Sequence, residues 1–313
     1  MRFSYDVLDD TEKILFALRS LYQQHGYRRY RMGKFEEYDL YSSNKDFLVS
    51  DGVITFTDTD GKLLALKPDV TLSIIKNTRD RQDLQKLCYN ETVYRISKGS
   101  GTFREIMQTG LECMGPVDAA CVGEVLRLAA ESLALPGRDY TLNVSHLGVL
   151  TELVDGATGE EAVRRELTQC VSEKNLHGIA AVCRRTGIPA HTAEALAELA
   201  GLQGRPAEIL PILRNLAKSG GAEELARALA AFDGTDAAEH IRVDFSVVGN
   251  RSYYNGVIFQ GFLEGIPESV LSGGQYDNLM GRMGRKNKAV GFAVYLDLLD
   301  RLEARAPQEE TPC

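Results

Sequence analysis

Residues 86–114, KLCYNETVYRISKGSGTFREIMQTGLECM, decide the fold. Two runs rich in strand-forming residues flank the loop Lys98 to Gly101, so the segment predicts a long β-hairpin. Side chains on a strand alternate between faces with a period of two. On the second strand, Arg104, Ile106, Gln108, Gly110 and Glu112 therefore share one face. Phe103, Glu105, Met107, Thr109, Leu111 and Cys113 share the other. A strand of this length belongs in mid-sheet, yet one of its faces carries an arginine, a glutamine and a glutamate. Gly110, between Gln108 and Glu112, predicts an open space without a side chain. The pattern fits a solvent-facing strand surface. It fits equally the floor of a pocket for a small polar ligand with a cationic end.

Upstream, residues 9–25 read as a helix. Asp9 or Asp10 supplies the N-cap, Ile14, Leu15, Leu18, Leu21 and Tyr22 form one apolar face, and Gly26 ends it. Tyr27 to Tyr38 reads as extended. Residues 52–66, GVITFTDTDGKLLAL, predict a hairpin around Asp60-Gly61. In LKPDVTLSIIKN, Pro68 breaks the strand and Asp69 can cap the helix that follows. Asp69 and Thr71 sit at that junction, where a carboxylate and a hydroxyl either accept from a ligand ammonium or merely cap a helix.

Downstream, a helix at about 118–134 and a strand at about 139–146 are expected. Residues 151–240 differ in kind. Ala, Leu, Glu and Arg dominate with helical periods and few β-branched runs, predicting an all-helical insertion of four to five helices. Strand patterns return after 240. IRVDFSVV and RSYYNGVIFQGFLEG flank Gly249-Asn250, a turn pair suited to a tight hairpin. Tyr253 and Tyr254 are adjacent, so in a strand only one of them reaches a shared pocket; strand tyrosines also commonly pack in cores. SGGQYDNLMGRMG reads as a Gly-rich loop with a helix, and AVGFAVYLDLLDRL as a strand running into a helix. The tail 305–313 reads as disordered.

Strands, then helices, then strands indicate an α+β fold with an antiparallel sheet flanked by helices. Its core spans 1–150 and 241–304, and the helical insertion spans 151–240. No G-x-G-x-x-G after a strand and no G-x-x-x-x-G-K-[ST] occurs, which excludes nucleotide binding by those two devices.

Composition narrows the function classes. The chain has 313 residues, 44% hydrophobic and 26% charged, enough for an ordinary core. No apolar run approaches the ~20 residues of a membrane span, and the acidic start is unlike a signal peptide. A cytoplasmic protein without membrane contact is expected. Cys88, Cys113, Cys121, Cys170, Cys183 and Cys313 form no C-x-x-C pair and no zinc-spaced cluster with histidine, so no metal is expected. The net charge of −8 weighs against a polyanionic partner such as tRNA.

Four ordered segments resemble the histidyl-tRNA synthetase family, with its class II synthetase core. KPDVT resembles the family's R-P-E-G-T, and YRISKGSGTFREIMQTGLECMG the motif 2 hairpin with Arg95. RSYYNGVIF is similar to R-G-L-D-Y-Y-T-x-x-x-F, and GGQYDNLMGRMGRKNKAVGFAV to G-G-R-Y-D-x-L with the A-V-G-F-A of motif 3. The resemblance implies a histidine pocket. Asp69, Thr71 and Gln108 match positions that hold the ammonium group. Glu112 matches the carboxylate that takes an imidazole N–H, and Tyr253 or Tyr254 a pocket tyrosine.

The departures are as informative. The family arginine that binds the substrate carboxylate and stabilises adenylation corresponds to Gly249, and loss of such a cation typically costs ~10²–10³ in rate. Arg251, two positions on, would share its face in an extended strand. The glutamate of motif 2 is Ser97. In motif 3, Tyr295 replaces a glycine and Leu298 the arginine expected against ATP. The motif 1 proline is lost, with Gly33 near its place. The sequence stops soon after motif 3, so no anticodon-reading domain is expected. An amino-acid pocket without an ATP clamp resembles a paralogous family, the regulatory subunits of ATP phosphoribosyltransferase. That resemblance implies a non-catalytic protein without cofactor that self-associates as a dimer. It also implies assembly with the short-form catalytic subunit, and histidine as the inhibitory ligand. The alternative is a truncated synthetase-like ligase that adenylates histidine or a related amino acid, favoured by retained Arg95 and Arg104.

Overall fold

A computed structural model describes residues 7–45, 48, 52–97, 101–249 and 253–303. In chain order the first part holds α1 (Asp10–Gln24), β1 (Arg28–Arg29), β2 (Phe35–Glu37), α2 (Tyr38–Ser42), β3 (Thr55–Thr57), β4 (Leu63–Leu66) and α3 (Thr71–Asn77). Next come β5 (Gln85–Ile96), β6 (Phe103–Gly115), α4 (Ala119–Ala134) and β7 (Tyr140–His146). A helical stretch follows with α5 (Leu147–Ala157), α6 (Glu161–Ser172), α7 (Leu176–Thr186), α8 (Ala190–Gly201), the two-residue β8 (Gln203–Gly204), α9 (Pro206–Leu216) and α10 (Gly221–Leu229). The last part holds β9 (Ile241–Asp244), β10 (Val257–Leu263), β11 (Leu271–Gln275), α11 (Asp277–Arg282), β12 (Lys288–Tyr295) and α12 (Leu296–Glu303).

Local chemistry explains most boundaries. Asp9 and Glu12 form a capping box on α1, each side chain accepting from the other's backbone N–H. Gly26, at φ +83, takes the left-handed turn that ends the helix. Asp118 caps α4 through Cys121 N at 2.9 Å. Asp58 accepts from Asp60 N and Lys62 N, and Gly61 takes φ +82, which closes the β3–β4 hairpin.

Nine strands form one sheet in the order β1-β5-β6-β12-β11-β10-β7-β9-β8. Its pairs are antiparallel except β1 with β5 and β7 with β9, so the sheet is mixed. A small sheet, β2-β4-β3, stands apart. The main apolar core lies between one face of the large sheet and helices including α1 and α4, through residues such as Leu18, Leu111, Leu126 and Leu142. It continues without a break into the helical stretch through Val163, Leu167, Leu196 and Leu225. A second core, around Leu72, Val93, Tyr276 and Met280, fills the other face.

Two expectations fail here. β9 and β10 do not form a hairpin across Gly249-Asn250. They lie on opposite sides of β7, which supplies a partner to each. Gly249 does adopt a left-handed φ of +56, but Asn250 lies outside the described residues. Nor is the Gly273-Gly274 segment a loop. It is the middle of β11, where a Cβ on Gly273 would stand 2.5 Å from Phe292 Cβ, and one on Gly274 2.9 Å from Tyr254 Cδ1. These glycines are there for close approach, not for a turn. The proposed tail, 305–313, lies outside the described residues.

Candidate functional site

Asp69, Thr71, Arg95, Gln108, Glu112, Tyr253 and Tyr254 all line one cavity of about 740 Å³. Arg251 lies outside the described residues. The cavity sits on the pocket-facing side of β6, β12 and β11, and the start of α3 closes one end.

Glycines make the floor. Gly291 of β12 pairs with Glu112 of β6, and a Cβ there would stand 1.8 Å from Glu112 Oε2. The carboxyl group therefore lies against bare backbone. Gly110 does not leave the open space expected of it. Its cross-strand partner Tyr89 folds over it, so that a Cβ on Gly110 would meet the phenol oxygen at 2.6 Å.

Glu112 is the buried centre of the inner end. Thr71 Oγ1 donates to its Oε1 at 2.7 Å, and the Tyr276 hydroxyl donates to Oε2 at 2.6 Å. Burial raises its pKa to about 8, although both hydrogen bonds pull the other way. An incoming cation or N–H donor would favour the carboxylate. Asp69 has both roles open to it at the sequence level. Its Oδ1 caps α3 by accepting from Leu72 N at 2.9 Å, and the residue also lines the cavity. Burial raises the Asp69 pKa, while the nearby Arg95 charge lowers it. Arg95 donates through Nε to Pro68 O at 3.1 Å. The Gln108 side chain is buried, lines the cavity, and makes no hydrogen bond among the described residues.

Tyr253 and Tyr254 both reach the cavity, against the expectation that only one could. Neither lies in a strand, so alternation does not apply; their ring centroids are 4.5 Å apart at 52°. The Tyr276 ring lies tilted against Tyr253, with centroids 5.8 Å apart at 56°. Burial pushes all three phenols far above their usual pKa, so they stay neutral hydrogen-bonding groups.

The reading of the sequence missed Tyr276 and Tyr89. Pairing the two strands of the 86–114 hairpin places Tyr89 opposite Gly110, so that signal was present. Tyr276 stood within the segment that resembles G-G-R-Y-D-x-L, although its helix-start position alone does not reveal a reach to Glu112.

At the outer end, two and four residues along β12 from Gly291, the cavity is lined by Ala293 and Tyr295, together with Val247, Gln260, Ser272 and Gln108, the cross-strand partner of Tyr295. The Tyr295 hydroxyl lies 2.7 Å from Ser272 Oγ, so the ring is tied across this end. Arg104 does not line the cavity; its guanidinium stands 3.6 Å from Asp297. Lys45 and Arg95 are the cationic lining residues among those described, and Asp69 and Glu112 the acidic ones. Such a set suits a small zwitterion with a further N–H donor. Among the described residues no group of three or more His, Cys, Asp or Glu side chains could hold a metal ion. Among them, too, no helix is long and apolar enough to cross a membrane.

A family model described as histidyl-tRNA synthetase matches residues 7–299. The ATP phosphoribosyltransferase regulatory subunit of Caldanaerobacter subterraneus subsp. tengcongensis is 31% identical, over 89% of this chain and 75% of that protein. A solved structure from Bacillus halodurans, described as an ATP phosphoribosyltransferase regulatory subunit/histidyl-tRNA synthetase, superposes with a TM-score of 0.83 at 25% identity. It covers 99% of this chain and 83% of that one. A chain of an ATP phosphoribosyltransferase complex from Thermotoga maritima shares the fold, with a TM-score of 0.73 at 18% identity over 92% of this chain and 98% of that chain.

Proposed function

This chain belongs to the histidyl-tRNA synthetase family, among the relatives named ATP phosphoribosyltransferase regulatory subunits, and from that premise we propose that it is the non-catalytic regulatory subunit of an ATP phosphoribosyltransferase. In this reading it joins a short-form catalytic subunit that needs it for activity. Histidine occupies the cavity and feeds back on the enzyme, and the chain self-associates as a dimer.

The observation that carries the reading is the contrast within one cavity. Glu112, Thr71 and Asp69 form a buried polar end fit for an amino acid with an N–H donor, whereas the outer end holds Gln108 and the Tyr295–Ser272 bridge. A triphosphate would need clustered cations. Histidine acts as a regulator only by binding one global state better than another, and a coupling of ~1–3 kcal/mol would change activity ~5–150-fold.

The ligase reading loses one of its two supports. Arg104 faces Asp297 and not the cavity, which leaves Arg95 alone.

The test is ATP phosphoribosyltransferase activity of the catalytic subunit from the same source, with and without this chain, across a histidine titration. Activation reversed by histidine is the expected outcome. No effect on a folded catalytic subunit would overturn the reading. Histidine-dependent exchange of pyrophosphate into ATP would favour the ligase instead.

A further inference from the structure

Tyr253 and Tyr254 present two adjacent rings to the cavity without a strand to hold them. The hold begins at the next residue. Asn255 Nδ2 donates to Asp277 Oδ2 at 3.1 Å, and the Asp277 backbone N–H donates to Asn255 Oδ1 at 2.8 Å. Asp277 directly follows Tyr276, whose hydroxyl donates to Glu112. The other carboxylate oxygen of Asp277, Oδ1, accepts from Ala289 N at 2.9 Å, on the strand that carries Gly291. One carboxylate thus joins the tyrosine segment, the start of α11 and β12.

Gln275 adds a second stitch. Its backbone oxygen accepts from Asn255 N at 3.1 Å, and its side-chain Oε1 accepts from Val257 N at 2.8 Å. Gly256 makes room for that side chain, since a Cβ there would stand 2.2 Å from Oε1. Asn255, Gln275 and Asp277 do not line the cavity. They meet a ligand only through the rings of Tyr253, Tyr254 and Tyr276, which lie against one another.

Resting on the histidine reading above, we infer that Asn255 and Asp277 are positioning residues, a reciprocal pair that fixes Tyr253 and Tyr254 against Tyr276 before a ligand arrives. Histidine affinity then depends on a pair that never touches histidine, because walls set in advance cost less to order on binding. The direction of the bonds sharpens the claim. Asp277 accepts twice through its side chain, whereas Asn255 donates once and accepts once. Asn255→Asp sets acceptor against acceptor. Asp277→Asn leaves one oxygen, already claimed by Ala289 N, and so sets amide against amide. Making both changes together restores every bond with the direction of one reversed, at unchanged net charge.

The experiment compares the full chain as wild type, Asn255→Asp, Asp277→Asn, the double exchange Asn255→Asp/Asp277→Asn, and Asp118→Ala, which removes the distant cap of α4. Each is titrated with L-histidine by calorimetry, melted, and recorded by near-ultraviolet circular dichroism. The chain has no tryptophan, so that signal reports mainly its tyrosines. Each single exchange should weaken histidine about 10-fold or more and reduce the tyrosine signal. The double exchange should return both to within about threefold of wild type. Asp118→Ala should lower the melting temperature by a few degrees and move neither. Single exchanges that melt earlier yet keep wild-type affinity and tyrosine signal would overturn the inference, since the pair would then only stabilise the fold. A double exchange as weak as the singles, or one that does not fold, would overturn it too. If a single exchange does not fold, the double exchange decides alone, supporting the inference by folding and binding within about threefold of wild type. Wild type that binds no histidine would remove the histidine reading, and the tyrosine signal would then decide the positioning role by itself.

Discussion

The two ends of the cavity are built on opposite terms. At the inner end Glu112 is gripped by Thr71 and Tyr276 and lies flat on Gly291. At the outer end one tyrosine reaches one serine, and the walls are otherwise small or neutral. Both ends rest on the paired strands β6 and β12, through Glu112 with Gly291 at one and Gln108 with Tyr295 at the other, so this backbone ladder does not distinguish them. Side-chain volume and preset hydrogen bonds do. The inner end has its polar groups held before a ligand arrives, which lowers the ordering cost of binding.

Substitutions can break this comparison in a graded way. The largest effect should come from Gly291→Ala. The added methyl would fall inside the Glu112 carboxyl group and 2.4 Å from Leu111 O. Thermal unfolding should register a loss of about 1–3 kcal/mol, and calorimetry no histidine binding. Gly281→Ala is the control: nothing lies within 4 Å of a Cβ in that helix position, so a gain of up to about 1 kcal/mol is expected. Equal tolerance at both glycines would refute the tight inner end.

Glu112→Ala comes next. It leaves the Thr71 and Tyr276 hydroxyls without their acceptor, and histidine affinity should fall about 100-fold by calorimetry. Histidine binding within threefold of wild type would move the recognition site elsewhere.

A subtler consequence is pH dependence. Glu112 releases its proton near its ordinary 4.5 in the unfolded chain but only at about 8 when folded. Between those values the folded state binds more protons, so stability contributed by this group falls as pH rises. Melting of the unliganded protein should therefore drop from pH 5 to pH 8, on the order of a few kcal/mol, and Glu112→Gln should flatten that slope. A slope unchanged in Glu112→Gln would show that the group is charged throughout.

The smallest effect belongs to the outer end. Tyr295→Phe should alter histidine affinity less than about threefold and stability by about 1 kcal/mol, the worth of one hydrogen bond. A large loss of affinity would erase the distinction between the two ends.

The local part of this architecture was legible in the amino-acid order. Asp9, Asp118 and Gly26 punctuate their helices as capping chemistry requires, and the alternation of Gln108 and Glu112 put both on the face that lines the cavity. What depends on distant partners was not. β9 and β10 look like neighbours because only a few turn-forming residues separate their patterns, but β7, about a hundred positions earlier, competes for both and wins. Gly273 and Gly274 look like a loop until Phe292 and Tyr254 are known to press on them. Gly110 looks vacant until Tyr89 is laid across it. For the strand order and for Gly273 and Gly274 the missing information was a distant neighbour, whereas for Gly110 it lay in the pairing of its own hairpin.

The parallel pairing of β7 with β9 also sets what the chain between them must be. A strand that ends at His146 and a partner that begins opposite Leu142 run in the same direction, with Leu142 aligned to Ile241. The chain must therefore travel back along the whole strand before it can start again, which no two-residue turn can do; such a crossover takes at least about 10–12 residues. Residues 147–240 are that return path. Shortening this stretch to a single crossing helix would keep the direction of β9 but remove β8, the edge strand it carries, and closing it to a tight turn would reverse β9.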